Sequence, residues 1–282
     1  MKGSTFFKRV LVLSSPTLSW FFVILLTSWF FLPLLWMFFS SFKNNAEIFT
    51  PFPLLPSRFS LEHFRDLFSG TWIPYTQQYL NTLYIAVLQT AGALVVAVPA
   101  GFLFAKYHNI PLKILYFFAL LPLLLPRQVL LLPLFSWLHK MGLLDTSWAV
   151  IFPGLASGLG VLYFTYAYKK FPNHLLDLAR TEGVGEHHLF FHTLPLMAPQ
   201  LLTYTLIHFI LAWHEHLVPL VVLHSSENQT VSVGLASLGA GSLRISYGLL
   251  MAGSFLTVIP TLLLYLFLHK NFKSSLRSLV SQ

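Results

Sequence analysis

"VLVLSSPTLSWFFVILLTSWFFLPLLWMFFSSF", Val10 to Phe42, contains no charged residue. A helix needs about 20 apolar residues to cross the hydrocarbon of a bilayer, and this stretch supplies them from about Leu18 to Phe39. Lys2, Lys8 and Arg9 precede it, as basic residues precede a secretory signal. The apolar run is too long for a signal's core, however, and no small-x-small cleavage site is obvious. The stretch therefore reads as an uncleaved first membrane helix, with Pro33 as an expected kink that neighbouring helices accommodate.

The rest of the chain repeats this character. Of 282 residues 56% are hydrophobic and only 9% charged, with a mean hydropathy of +0.70. A soluble domain carries about 25% charged residues, so most of this surface must face lipid. The sequence predicts an all-α integral membrane protein of one domain, 1–282, with spans at about 18–39, 80–105, 114–138, 147–168, 197–223 and 249–268. Pro122, Pro126, Arg127 and Pro133 interrupt the third span. The alternating "QTVSVGL", 229–235, between the fifth and sixth predicts a short strand or extended segment.

The charges set the expected orientation. Six spans put both termini on one side, with Lys2, Lys8, Arg9, Lys106, Lys113, Lys169, Lys170, Arg180, Lys270, Lys273 and Arg277. The other side receives Lys43, Arg58, Arg65, Lys140 and Arg244. Basic residues collect on the cytoplasmic side, so both termini are expected there. The net charge of +8 is spread over the ends of apolar runs, which is a topology signal and not a nucleic-acid surface. With no cysteine, disulfides, thiol nucleophiles and thiolate metal sites are excluded.

Against this apolar background stands "DLARTEGVGEHHLFFHTLPL", 177–196, on the expected cytoplasmic side. Pro172 suits the start of a helix, with Asn173 as a candidate cap. Leu175, Leu176 and Ala179 recur at helical spacing to make an apolar face, while Asp177 and Arg180 are neighbours on another face. Gly183 and Gly185 break the helix, and a second polar helix from Glu186 to Thr193 ends at Pro195. The loop 172–195 is longer than a connector between two spans needs to be.

This stretch resembles the EAA loop of binding-protein-dependent ABC transporter permeases, in which E-A-A is followed after three residues by glycine and later by a proline. Asp177, Leu178 and Ala179 stand at E-A-A, Glu182 at the usual aspartate, Gly183 at the glycine and Pro195 at the proline. "SSFKNNAEIF", "NTLYIAVLQT", "VLLLPLFSWLHKMGLLDT", "AWHEHLVPLVVL" and "QTVSVGL" follow the order of the MalG-like carbohydrate branch. "WHEH" departs from that branch's W-N-acid-aromatic pattern, and the tail "SSLRSLVSQ" lacks its glycines.

The resemblance implies a permease subunit of an ATP-driven importer in a prokaryotic inner membrane. Its implied partners are a second permease, two copies of a cytoplasmic ABC ATPase and an external solute-binding protein. The implied docking residues are Leu175, Leu176, Asp177, Ala179, Arg180, Glu182 and Gly183, and the implied solute is a sugar or oligosaccharide. Another small polar solute (a polyol, glycerol phosphate or polyamine) is the alternative within the same machinery. The chain has no G-x-x-x-x-G-K-[ST] phosphate loop, so ATP and magnesium are expected on the partner ATPase and no cofactor on this chain.

Two charges fall inside the expected spans, Arg127 and Glu215. A charge in hydrocarbon costs a few kcal/mol, so such residues face a cavity, a partner or an interface. Arg127 lies about 13 residues into its span, roughly 20 Å along the helix, past the midplane toward the outside. It fits a solute route, a contact between subunits or a side chain reaching the outer interface. Glu215, at the acid of the family's pattern, is expected on the solute route. The twelve histidines suggest a competing class, an intramembrane metalloenzyme. His214-Glu215-His216 puts its histidines on different helix faces, and His188 and His192, at i and i+4, have no carboxylate third ligand on their face. No enzymatic activity is expected.

Overall fold

Regular structure is helical throughout the described residues, which in this computed structural model are 16–50, 54–240 and 246–280. Lys2, Lys8, Arg9 and Arg244, four of the charges behind the expected orientation, lie outside them. Helix α1, Pro16–Ser40, is almost bare along its length and leans on the bundle near its end, where Phe38 meets Phe255 with ring centroids 4.9 Å apart. Short helices α2, Asn45–Ile48, and α3, Glu62–Ser69, lie in the connection that follows. Asn45 fastens this connection by donating to Ser246 at 3.3 Å and accepting from the Gly248 N–H at 2.9 Å.

Helix α4, Tyr75–Lys106, is the hub, and it starts five residues before the expected span. Two polar residues ahead of the expected span, Tyr75 and Gln78, are buried against backbone acceptors. Tyr75 donates its hydroxyl to the Gly253 carbonyl at 2.9 Å, and Gln78 donates to the Ser226 carbonyl at 2.9 Å. Farther along α4, Ala93, Ala97, Gly101 and Ala105 repeat every four residues and make a narrow face. A Cβ on Gly101 would lie 2.7 Å from the Phe164 carbonyl carbon and 2.8 Å from the Thr165 nitrogen. Two backbones approach this closely only where side chains are small, which is how helices associate without a hydrophobic driving force in lipid.

The expected third span is two helices, α5, Ile110–Leu124, and α6, Arg127–Lys140, which meet at 111°. Pro126 explains the bend. It lacks an N–H, and it pushes Leu125 out of the helical region to φ −96°, ψ 137°. Pro122 and Pro133 lie inside their helices. The expected fourth span is likewise divided into α7, Ser147–Leu155, and α8, Gly158–Lys170. At this second break Ser157 accepts the free Gly160 N–H at 3.2 Å.

Helices α9, Asn173–Thr181, and α10, Glu186–Leu196, form the polar loop. Asn173 begins α9 without capping it, and α10 runs through Pro195. The expected fifth span is divided again, into α11, Ala198–Trp213, and α12, Leu217–Val222. Here Glu215 Oε1 accepts the Leu217 and Val218 N–H groups at 3.1 and 3.5 Å. Helix α14, Tyr247–Val280, continues past the expected sixth span.

The expected extended segment 229–235 is a correction, because it is the start of helix α13, Val231–Ala240. Six alternating residues also satisfy a helix, in which Val231, Leu235 and Leu238 share one face and pack in one core while Val233 is buried as well. The Thr82 hydroxyl on α4 accepts the Val231 N–H at 2.8 Å and so fixes where α13 begins.

Asp145, at φ 58°, joins the α6–α7 connection to the segment after α12. Its carboxylate accepts the His224 and Ser225 N–H groups, both at 2.9 Å, and the Ser225 hydroxyl. The Ser225 hydroxyl is the main cause holding this carboxyl down at a pKa of about 2.

The close crossing at Gly101 yields a prediction. Gly101→Val pushes α4 off α8, and overpacking of this kind costs about 1–3 kcal/mol. The purified variant should lose thermal stability, measured as an earlier unfolding transition in detergent, while Gly239→Val, where a Cβ meets nothing within 4 Å, should shift the transition far less.

Candidate functional site

Two features concentrate polar chemistry, the α9–α10 loop and a cavity where the helix breaks meet. In the loop, Arg180 reaches both helices. It donates to Asp177 Oδ1 at 2.9 Å on its own helix and to both Glu186 oxygens, at 2.8 and 3.2 Å, on the next. Glu186 also accepts the Tyr107 hydroxyl at 2.5 Å, from the connection between α4 and α5. Arg180, followed by Tyr107, holds the Glu186 carboxyl below the usual carboxylate range, and burial followed by Glu186 raises the Tyr107 phenol. Lys106 completes the clasp by donating to the Phe171 carbonyl at 3.1 Å and to Asn173 Oδ1 at 2.6 Å.

The apolar face expected on α9 is divided. Leu176 is 3% exposed and packs with Leu189, Phe102 and Tyr168 in the chain's own core. Ala179 is half-buried against the same core. The apolar groups left outside are Leu175 and Leu178, the latter 62% exposed. Leu176, expected on the docking face, fastens the loop from within. Glu182 is exposed at the C-cap, and Gly183 follows at φ 80°. The Val184 N–H returns to the Ala179 carbonyl at 3.1 Å, a left-handed helix end that glycine adopts without strain. Gly185, at φ −68°, is the N-cap of α10 and needs no such freedom.

The second feature is a cavity of about 430 Å³. All three breaks contribute to its lining: Arg127 from the α5–α6 break, Ser157 from the α7–α8 break and Glu215 from the α11–α12 break. Arg127 and Glu215, far apart in sequence, form an ion pair at 2.7 Å. The Arg127 side chain is 69% exposed and that of Glu215 only 11%. Glu215 therefore does two jobs, since Oε1 caps α12 while Oε2 holds the guanidinium.

Sequence reading found both members of this pair but did not join them. It missed Gln89, Ser157 and His208, which also line the cavity. His208 carried a usable signal, an ionisable side chain in mid-span. Among the described residues no group of three or more histidine, cysteine, aspartate or glutamate side chains could hold a metal.

A helical bundle with five apolar helical segments of membrane length, plus a bent pair, and a largely apolar cavity that holds an ion pair among their breaks has the architecture of an integral membrane transport component. The chain belongs to the binding-protein-dependent transport system inner membrane component family, whose model matches residues 97–278. It is a multi-pass permease subunit of an ABC-type importer, a transporter family and not an enzyme family. It is 30% identical to the arabinooligosaccharides transport system permease protein AraQ of Halalkalibacterium halodurans, over 93% of this chain and 96% of that one. It is also 30% identical to the lactose transport system permease protein LacG of Rhizobium radiobacter, over 85% and 87%. The sn-glycerol-3-phosphate transport system permease protein UgpE of Pectobacterium atrosepticum is 26% identical, over 85% and 88%. A chain in the crystal structure of a bacterial ABC transporter that imports the acidic polysaccharide alginate shares the fold. Its TM-score is 0.78 at 18% identity, over 92% of this chain and 99% of that one.

The ion pair can be tested by charge bookkeeping. A pair in water contributes about 0–1 kcal/mol, whereas an uncompensated charge in a membrane span costs about 2.5–3.5 kcal/mol. Glu215→Gln leaves Arg127 unpaired and should lower solute-stimulated ATP hydrolysis of the assembled transporter about tenfold, which is about 1.4 kcal/mol in the barrier and only part of that penalty. Arg127→Gln with Glu215→Gln removes both charges and should recover much of the loss. Additive losses in the double variant would show that the two residues act separately.

Proposed function

We propose that this chain forms half of the solute passage of a sugar or oligosaccharide importer and alternates between inward and outward access as a partner ATPase closes on ATP. One observation carries the reading: three breaks in apolar helices meet at one cavity. Unpaired backbone at membrane depth is tolerated where it is buried in protein or faces water, and broken helices are where transporters bind their solutes. The names of the AraQ and LacG relatives favour saccharide as the solute. The exposed guanidinium of Arg127 favours a second reading, an anionic solute such as glycerol phosphate, but Glu215 already neutralises that charge.

The working assembly in this reading has a second permease subunit beside this chain, two copies of a cytoplasmic ATPase that bind ATP and magnesium, and an external binding protein that delivers the solute. Both termini and the loop 172–195 face the cytoplasm, as the distribution of basic residues supports. The ATPase meets the exposed side of α9, with Leu175 and Leu178 as apolar contacts and Asp177, Arg180 and Glu182 at the rim. Force applied there passes inward along two routes, through Leu176 into the core and through Arg180–Glu186–Tyr107 to the α4–α5 turn. Packed, clasped helices move as a rigid body instead of absorbing the stroke locally.

Gly183 tests the coupling. A Cβ there meets nothing within 4 Å, so a longer side chain projects away from the chain toward the proposed partner. A non-glycine residue in the left-handed region costs about 1–3 kcal/mol, which an assembled membrane bundle can absorb. Gly183→Arg should insert and fold but lose ATPase co-purification and solute-stimulated ATP hydrolysis. Wild-type levels of both would refute the coupling role of this loop.

A further inference from the structure

His208 stands on α11 in the cavity wall, with only 6% of its surface exposed. Its Nδ1 lies 3.1 Å from the Tyr204 hydroxyl oxygen. That hydroxyl gives its proton to Ser157 Oγ at 2.7 Å, and Ser157 Oγ also accepts the Gly160 N–H at 3.2 Å. With its proton directed to Ser157, the Tyr204 oxygen can only accept from the imidazole. Nδ1 of the neutral ring therefore carries the hydrogen, and Nε2 is a bare acceptor. Among the described residues Nε2 has no hydrogen-bond partner although it is buried.

A buried acceptor without a partner is costly, and in a native protein it calls for an explanation. The second break supplies both Ser157, which ends this hydrogen-bonded chain, and part of the cavity lining. The tautomer of His208 is thus set by the same local structure that shapes the cavity.

We infer that His208 is a specificity-determining residue of the solute passage, and that Nε2, closed off in this structure, accepts a hydrogen bond from a hydroxyl group of a neutral, polyhydroxylated solute when the passage opens. The inference rests on the importer reading above and adds to it the chemistry of recognition. Nε2 needs an O–H donor, which every sugar hydroxyl offers and which a phosphate dianion or carboxylate does not. Arg127 has further N–H donors beyond the one given to Glu215, and these suit the oxygen lone pairs of the same solute. The Arg127–Glu215 pair leaves the wall without net charge, so it does not select an ion. Leu130, Leu134 and Leu211 offer an apolar wall to the C–H face of a sugar ring.

The test uses the complete transporter, with both permeases, the ATPase and the binding protein, in proteoliposomes. Lactose, arabinotriose and glycerol 3-phosphate serve as probes. Uptake of glycerol 3-phosphate and of neither saccharide by wild type overturns the solute reading itself, whatever His208 does. Where a saccharide enters, its monodeoxy analogues are compared with the parent in wild type, His208→Leu and His208→Gln. Delivery by the binding protein is common to all three and cancels in the ratios.

Wild type should prefer the parent over one monodeoxy analogue by about tenfold, because a site built around a hydroxyl rejects the compound that lacks it. His208→Leu should lower parent uptake by about the same factor and reduce that preference about tenfold relative to wild type. His208→Gln, which retains an acceptor oxygen, should recover part of both. A purely structural role would reduce uptake of parent and analogues equally. Unchanged preference in His208→Leu overturns the inference. If that variant does not assemble, an unchanged preference in His208→Asn does so.

Discussion

Every backbone N–H and C=O that leaves a helix inside the membrane must find a partner or water, and this constraint organises the structure. The chain leaves helical geometry at Leu125–Pro126, at Ala156–Ser157 and between His214 and His216. Separately, each break would be a defect in hydrocarbon. Gathered around one cavity they support one another: Ser157 caps α8, Glu215 caps α12 and also holds Arg127 at the start of α6. The polar groups that a solute passage requires are thus the groups that the broken helices require.

The rest of the bundle supplies a rigid frame for that passage. Helix α4 packs through small residues on α8, and its two ends are fastened by polar contacts to opposite ends of the structure. At one end Tyr75, Gln78 and Thr82 engage backbone of α14, the α12–α13 connection and α13. At the other, Lys106 and the adjacent Tyr107 hold the polar loop. In the proposed importer, a displacement of the loop would carry with it α4 and the part of the cavity wall that Gln89 contributes.

The helical membrane class and the polar loop were legible in the sequence because both depend on local composition. Uncharged runs such as 18–39 announce a span wherever the chain goes next. The breaks were less legible. Three prolines interrupt 114–138, yet only Pro126 divides the helix there, since Pro122 and Pro133 are accommodated. The α11–α12 break holds no proline between His214 and His216, but Pro219 in the first turn of α12 cannot bond the carbonyl four residues back, at Glu215, and the Glu215 side chain accepts the freed N–H groups. The burial of Leu176 and the helical state of 231–240 were illegible for a related reason. Both are decided by partners distant in sequence, Phe102 and Tyr168 for the one and Thr82 for the other. His208 could have been singled out as an ionisable group in mid-span, but only the folded chain shows that Tyr204 and Ser157 set its tautomer.

Whether the three breaks enclose a water-filled passage is open to direct measurement because the chain has no cysteine. Leu131 lines the cavity, whereas its neighbour Leu132 on the same helix is 74% exposed and does not. Leu211 of α11 lines the cavity, and Val95 of α4, also 74% exposed, does not. Single cysteines at the four positions can be exposed to a small water-soluble thiol reagent in the membrane-embedded transporter. A water-filled passage requires rapid modification of Leu131→Cys and Leu211→Cys, slowed by transported solute, and little modification of Leu132→Cys and Val95→Cys. Equal reactivity at all four positions, or inert cavity positions in every nucleotide state, would contradict it.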